Sequence, residues 1–215
     1  MHFHLPKPLH GWREFAGEVG IIVLGVLIAL AAESVVEDLQ WRHKVDVVSK
    51  SLLGELANDR ARWDVDLKAA RCALQVTARI EPWARAGARG AAPPVPDSRE
   101  LLTMHTANWT LAANSQTLDH FPIRDQLAFA ALYAGIANRQ VTIDQVGNAL
   151  DRIHTLVPLA SDSTARRELL ETLGDLRTGS ASLIDNEGYM KRHFDAVGVK
   201  SDPSDFAADL ARKAC

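Results

Sequence analysis

Asp151-Arg152-Ile153-His154 sets a carboxylate and an imidazole one helical turn apart. That is the spacing with which one helix supplies part of a di-iron site. A complete site needs a second such pair and two further carboxylates on facing helices. Glu168 and Glu171 fall on the next helical segment, but no second histidine accompanies them, so the pair reads as solvent-facing beside an apolar seam. His2, His4 and His10 scatter imidazoles along the first ten residues in no pattern that fixes a metal geometry. Asp119-His120 stands just before Pro122 with no nucleophile close in sequence, and reads as a turn and cap rather than a dyad. The chain contains no glycine-rich phosphate loop, HExxH, CxxC or GxSxG, the motifs that carry the commonest phosphate, zinc, redox and acyl-transfer chemistry. The expectation is therefore no catalytic residue, no cofactor-binding residue, no cofactor and no metal: a protein that is not an enzyme.

Two cysteines, Cys72 and Cys215, make neither a disulfide framework nor a zinc site. In an oxidising compartment they could pair and tie the last residue to the first long helix. The alternative is two unpaired thiols, one in a helix seam and one on the tail. A net charge of −3 with acids and bases interspersed offers no basic stripe of the kind that phosphate backbones require, so no nucleic-acid partner is expected. Only 6% of residues are aromatic, Ala and Leu dominate, and Gly and Pro gather at a few junctions. That composition predicts an all-α fold.

The elements follow from hydropathy and period. Val19 to Ala32 carries no polar side chain, and Phe15 to Ala32 gives eighteen residues if Glu18 is tolerated. Such a helix is roughly 27 Å long, close to a hydrocarbon core of about 30 Å. Glu18 would lie one turn inside the boundary, where a carboxylate reaches the headgroups or stays protonated. A membrane anchor is the preferred reading, with a cleaved signal and a buried core helix as rivals. Ala29-Leu30-Ala31 fits a cleavage site behind Lys7 and Arg13, but Glu14 and Glu18 interrupt the usual pattern and helical periodicity continues past it. Trp12 and Trp41 flank the stretch as interfacial anchors would. The Lys/Arg count on the two sides is nearly balanced. The short N-terminal tail places the working part on the C-terminal side, expected outside the cytoplasm at an inner membrane. Glu18, Gly25 and Ala29 share one face, and Gly25-xxx-Ala29 is a small-xxx-small pair that lets two membrane helices approach. These three are the candidate helix-association residues.

The run GEVGIIVLGVLIAL, with Gly17-Glu18 and then Gly25 to Leu30, resembles the N-terminal signature of a bacterial family of single-pass membrane proteins of unknown function. A looser similarity lies in Trp109 to Tyr133. The resemblance implies an anchored helical protein and implies no activity.

Beyond the anchor, Val45, Val48, Leu52, Leu56, Trp63, Leu67, Ala70 and Leu74 recur in steps of three, four or seven, an amphipathic helix. With no proline between Pro8 and Pro82, one helix can continue from Phe15 to about Arg85. The segment 86–98 is a Gly/Ala/Pro linker. Asp97 or Ser98, with Glu100 completing a capping box, is expected to start a helix reaching roughly Thr117. Phe129, Ile136, Ile143, Leu150 and Val157 then repeat every seven residues, as do Leu169, Leu176, Leu183, Met190 and Val197. The companion positions are Leu132, Arg139, Val146 and Ile153 in the first series, and Leu173, Ser180, Glu187 and Phe194 in the second. Two such series joined by a short Pro-containing turn predict an antiparallel pair, and Asp202-Pro203 predicts a last short helix. The expected organisation is a tail (1–14), a transmembrane helix (15–32), a stalk helix (33–85), a linker (86–98) and an antiparallel helical bundle (99–215). The expected function is a membrane-anchored scaffold or protein-interaction module. Its partners would be the lipid bilayer and either a homo-oligomer or another membrane protein. An extracytoplasmic ligand-sensing bundle is the alternative.

Overall fold

The computed structural model describes residues 11–95 and 101–201, apart from the side chain of Glu14. The expectations for His2, His4, His10, the Asp97–Glu100 capping box, the last short helix and Cys215 lie outside the described residues. Among those residues all regular structure is helical, as the composition predicts. Helix α1 is Trp12–Arg85, 74 residues, and it joins the apolar stretch to the amphipathic segment without a break. Pro82 sits in its last turn, where it removes the amide that would bond back to the carbonyl of Ala78. The helix stops in a Schellman arrangement: Gly87 takes φ +91°, its N–H donates to Ala84 O at 3.0 Å, and Ala88 N–H reaches back to Trp83 O at 2.9 Å.

The chain divides into two compact units, Met1–Val47 and Val48–Cys215. In the first, α1 carries an 18-residue window of mean hydropathy 2.6, none of it buried. It is one helix long and apolar enough to cross a membrane. Ile21, Ile22, Leu24, Leu27, Ile28 and Leu30 all stand more than half exposed. On the order of 25 cal/mol per Å² opposes leaving such a surface in water.

The second unit takes in the remainder of α1. Leu52, Leu56, Trp63, Leu67 and Ala70 are buried, so the amphipathic period selects its core face. Where a helix from Asp97 or Ser98 to Thr117 was expected, residues 102–106 run non-helical. Helix α2 begins only at Ala107 and ends at Ala113. A 3₁₀ turn, Gln116–His120, follows. Pro122 stands at the N-cap of α3, Ile123–Leu156, one position earlier than its usual place in the first turn.

A 3₁₀ turn through Pro158 leads to α4, Ser163–Asp185. Asp162 caps α4, its carboxylate accepting from Thr164 N at 2.9 Å and Ala165 N at 3.0 Å. Helix α5 is Glu187–Ala196, separated from α4 by Asn186. Both heptad series bury nearly as expected, from Phe129 to Val157 and from Leu169 to Phe194. Val197 is only half-buried, and Val199 occupies the core instead. Helices α3 and α4 run antiparallel, with Arg152 meeting Glu168 and Val146 meeting Gly179. A Cβ on Gly179 would lie 2.8 Å from Val146 Cγ2, so glycine there permits the close approach.

Candidate functional site

The most developed polar site is built on α1. Glu55, Asp59, Arg62 and Asp66 fall within about 60° of one another around the helix at 100° per residue. They face a non-helical strap, residues 101–106, that leads into α2. Leu102 N donates to Asp66 Oδ1 at 2.7 Å, His105 N to Asp59 Oδ1 at 2.9 Å, and Asn108 N to Glu55 Oε2 at 2.9 Å. Arg62 donates to Thr103 O at 3.1 Å, and from α3 Gln140 Oε1 accepts Met104 N at 3.0 Å. From Asp66 to Glu55 the helix rises about 16 Å, and the chain from Leu102 to Asn108 runs alongside it through these bonds. The strap can therefore track α1 backwards, with one carboxylate meeting it at each level. Its side chains alternate: Leu102 and Met104 are buried, while Thr103 and His105 are exposed. A strap between two helices has no sheet partner for its amides. The carboxylates and the Gln140 amide supply the acceptors that a β-ladder would otherwise provide.

The electrostatics are unusual. Asp59 and Asp66 are both 0% exposed, and each has its Oδ2 buried without a hydrogen-bond partner. Burial pushes the Asp59 carboxyl up to about 7, opposed by the His105 amide, with Glu55 adding repulsion and Arg62 partly relieving it. Burial holds Asp66 well above the carboxylate range, opposed by the Leu102 amide and Arg62. Tyr133 from α3 donates to Glu55 Oε1 at 2.8 Å; burial first, then the bond to Glu55, raises its phenol above the usual value. Trp109 stacks on Tyr133 at 5.0 Å between ring centroids, and His105 Nδ1 stands 3.9 Å from Asp59 Oδ1. One oxygen of each buried carboxylate is spent on a backbone amide. The geometry describes a latch that holds the strap.

Two open clefts accompany it in the second unit. One, of about 540 Å³, is lined by Arg60, Trp63, Asp64, Phe194, Asp195 and Lys200 among others. Arg60 is fixed there by Asp195 Oδ1 at 2.8 Å and by the Val199 carbonyl. The other, of about 660 Å³, lies between α3 and α4 and is lined mostly by Thr, Ser, Asn and Gln side chains with Arg152 and Asp175.

The residues singled out from sequence fall elsewhere. Glu18, Gly25 and Ala29 are all exposed on α1 in the first unit, and a Cβ on Gly25 would meet nothing within 4 Å. Asp151 and His154 lie on the exposed side of α3, and Glu168 pairs with Arg152. Asp119-His120 closes an exposed 3₁₀ turn. Among the described residues no three His, Cys, Asp or Glu side chains are placed to hold a metal ion. Cys72 is buried and is disulfide-bonded rather than free. The latch carboxylates had one sequence signal: Asp59 and Asp66, seven apart, occupy core-facing positions in the period of Leu52, Leu56, Trp63 and Leu67.

Fold and geometry together define an all-α protein with one helix able to span a membrane and a compact helical unit closed by a buried latch. No family model, curated protein or solved structure matches the chain.

Proposed function

We propose that this is a single-pass protein of the inner (plasma) membrane that presents its helical unit on the periplasmic side as a non-enzymatic scaffold or protein-interaction module. The observation that carries the reading is the unburied eighteen-residue apolar window at the head of α1, which lies in the same helix as the buried core positions from Leu52 onward. The disulfide at Cys72 supports an oxidising compartment, and the likeness of GEVGIIVLGVLIAL to anchored helical proteins supports the span. The span associates with a second copy or another membrane protein through Glu18, Gly25 and Ala29, where small residues permit close packing. Cell fractionation with protease access to a C-terminal tag tests the placement. A full-length membrane band that is digested once the outer membrane is opened is the expected result; a protected tag refutes the periplasmic side, and a shortened soluble band refutes the anchor.

The clefts of about 540 and 660 Å³ favour one second reading, an extracytoplasmic ligand-sensing unit. A small molecule that raises Tm in a thermal-shift screen supports sensing, and a screen without hits leaves the scaffold reading ahead.

A further inference from the structure

Helix α1 carries one apolar seam across the end of its membrane stretch. Ile22, Gly25, Ala29, Ala32, Val36 and Leu39 recur in alternating steps of three and four, the repeat of a two-stranded coiled coil. At about 100° per residue they fall within about 100° of one another. Glu18 stands one step before them, so the candidate association residues are the membrane half of a longer series. From Ala32 to Val47 the exposed large aliphatics follow the same repeat. Val36 and Leu39, 53% and 60% exposed, occupy its two seam positions, and Val35 and Val47, 60% and 52% exposed, occupy the positions that flank them. The positions facing away carry Glu37, Asp38, Trp41 and Lys44, which are engaged within the helix. Asp38 pairs with Arg42 at 2.7 Å, Trp41 Nε1 donates to Glu37 Oε1 at 3.3 Å, and Lys44 Nζ stands 4.1 Å from the Trp41 ring centroid.

The repeat selects a second copy of the same helix as its occupant. Copies anchored by one span enter the bilayer in the same direction, so their helices meet parallel and each seam position meets its own counterpart. Small residues then face small ones at Gly25, Ala29 and Ala32, and Val36 and Leu39 face their own kind. In register, the flanking positions set Ile28 against Glu33, Val35 against Gln40 and Arg42 against Val47 of the other copy. No like charges meet there, and the apolar stem of Arg42 covers Val47. Beyond an anchor ending near Ala32, covering Val36 and Leu39 gains the hydrophobic term that lipid does not supply between helices. Handedness follows from the same repeat. A right-handed crossing at a small-xxx-small pair runs at about −40°. Centred between Gly25 and Ala29, it would carry the axes about 12 Å apart sideways at Leu39, about 18 Å along the helix, and Val36 and Leu39 would stay bare. A seven-residue repeat winds the pair left-handed and keeps the seam closed.

We infer that α1 pairs with α1 of a second copy, parallel and in register, through a left-handed seam that runs from Ile22 in the bilayer to Leu39 outside it. The inference rests on the membrane reading proposed above and goes beyond it in naming the partner, the hand and the part of the interface that lies in water. Two copies of the helical unit then leave the membrane together, which makes the scaffold bivalent toward any partner it binds.

The test is oxidative cross-linking of the full-length protein in the membranes of cells that express it. Cys72 is disulfide-bonded, so cysteines introduced one at a time supply the reactive thiol, and the parent chain sets the background. Val36→Cys and Leu39→Cys should form dimers about tenfold faster or more than Glu37→Cys and Asp38→Cys, because only facing positions bring two Cα atoms within disulfide reach. Cross-linking of Gly25→Cys or Ala29→Cys with none of Val36→Cys or Leu39→Cys would indicate a right-handed crossing; it would overturn the inference and leave association of the span standing. Equal rates at the four outer positions, or no dimer above the parent, would also overturn it. Carbonate washing of the same membranes keeps the two levels apart, since a protein that washes off defeats the span reading and the inference with it. A second measurement avoids cysteine altogether. Val36→Asp combined with Leu39→Asp should lower the dimer fraction in mild detergent about tenfold or more, while Ser34→Asp on the opposite face should leave it unchanged. A dimer fraction indifferent to the paired change would overturn the seam.

Discussion

Replacing Asp59 with Asn keeps the side chain's shape and an oxygen to accept the His105 amide while removing the charge. In the parent protein burial raises the Asp59 carboxyl from 3.8 to about 7. A carboxyl whose folded value lies above its unfolded value binds its proton more tightly when folded. Its contribution is therefore present in full at low pH and is lost as the pH rises from about 4 through about 7. Between pH 4.5 and 8 the loss is about 3 kcal/mol, at about 1.4 kcal/mol per unit. A carboxamide does not titrate in this range, so the variant's stability should lack this slope. At pH 4.5 the variant should be slightly less stable than the parent, since the new amide lacks a partner where Oδ2 stood alone, a cost of about 1–3 kcal/mol. At pH 8 the parent holds an ionised, half-satisfied carboxylate in the core, and the order should reverse or the gap close by about 3 kcal/mol. For a unit of this size that is on the order of 6–12 °C in Tm. Thermal melts of the full chain in non-ionic detergent, followed by tryptophan fluorescence from pH 4.5 to 8, read this directly. Parallel curves for Asp59→Asn and the parent would refute the reasoning, because Asp59 would then not be the group whose proton follows folding.

Tyr133→Phe should lower stability by about 1–2 kcal/mol in chemical denaturation, because it removes the 2.8 Å bond to Glu55 and leaves the Trp109 stack in place. Gly179→Ala should destabilise by about 1–3 kcal/mol despite alanine's better helix propensity, since its Cβ would lie 2.8 Å from Val146 Cγ2. Val146→Ala in the same chain should recover part of that loss, and additive effects in the double-mutant cycle would count against the contact. Asp162→Ala should lower Tm at neutral pH by removing the cap of α4. The Ala165 and Thr164 amides hold the Asp162 carboxyl below its usual value, so its contribution is present above the ordinary carboxylate range. The difference from the parent should shrink as the pH falls below that range. Dimerisation of the span in a membrane two-hybrid assay should fall with Gly25→Leu and Glu18→Ala; an unchanged signal would remove those residues from the interface.

Much of the helical frame was legible because burial follows period. The series Leu52, Leu56, Trp63 and Leu67 and the heptads from Phe129 and Leu169 were each long enough for one face to dominate, and those faces are the core. The ends were less legible where side chains compete for backbone groups. Asn186 divides the second heptad series into α4 and α5 without disturbing its period. Leu183 and Met190 stay seven apart and buried, so nothing in the apolar pattern marks the break. The capping signal of Asp97 or Ser98 with Glu100 predicts a helix across the strap, and helicity there is overridden by partners far away in sequence. Asp66 and Asp59 accept the Leu102 and His105 amides and take them out of a helical ladder.

The same competition explains why the candidate site lay where the motif search did not look. Asp151 with His154, and Asp119 with His120, have chemical types in suggestive spacing, but surfaces carry such pairs at little cost. Asp59 and Asp66 have no suggestive neighbours in sequence and sit where the period calls for Leu or Val. A carboxylate persists at such a position only if something offsets its desolvation, and here one backbone amide each offsets part of it. The remainder stays as a raised proton affinity and an unpartnered oxygen at each. A charge on the core face of an amphipathic helix thus marks where a distant segment docks through its backbone. It also places one source of pH-dependent stability in the joint between α1 and its strap, the joint that Asp59→Asn is designed to probe.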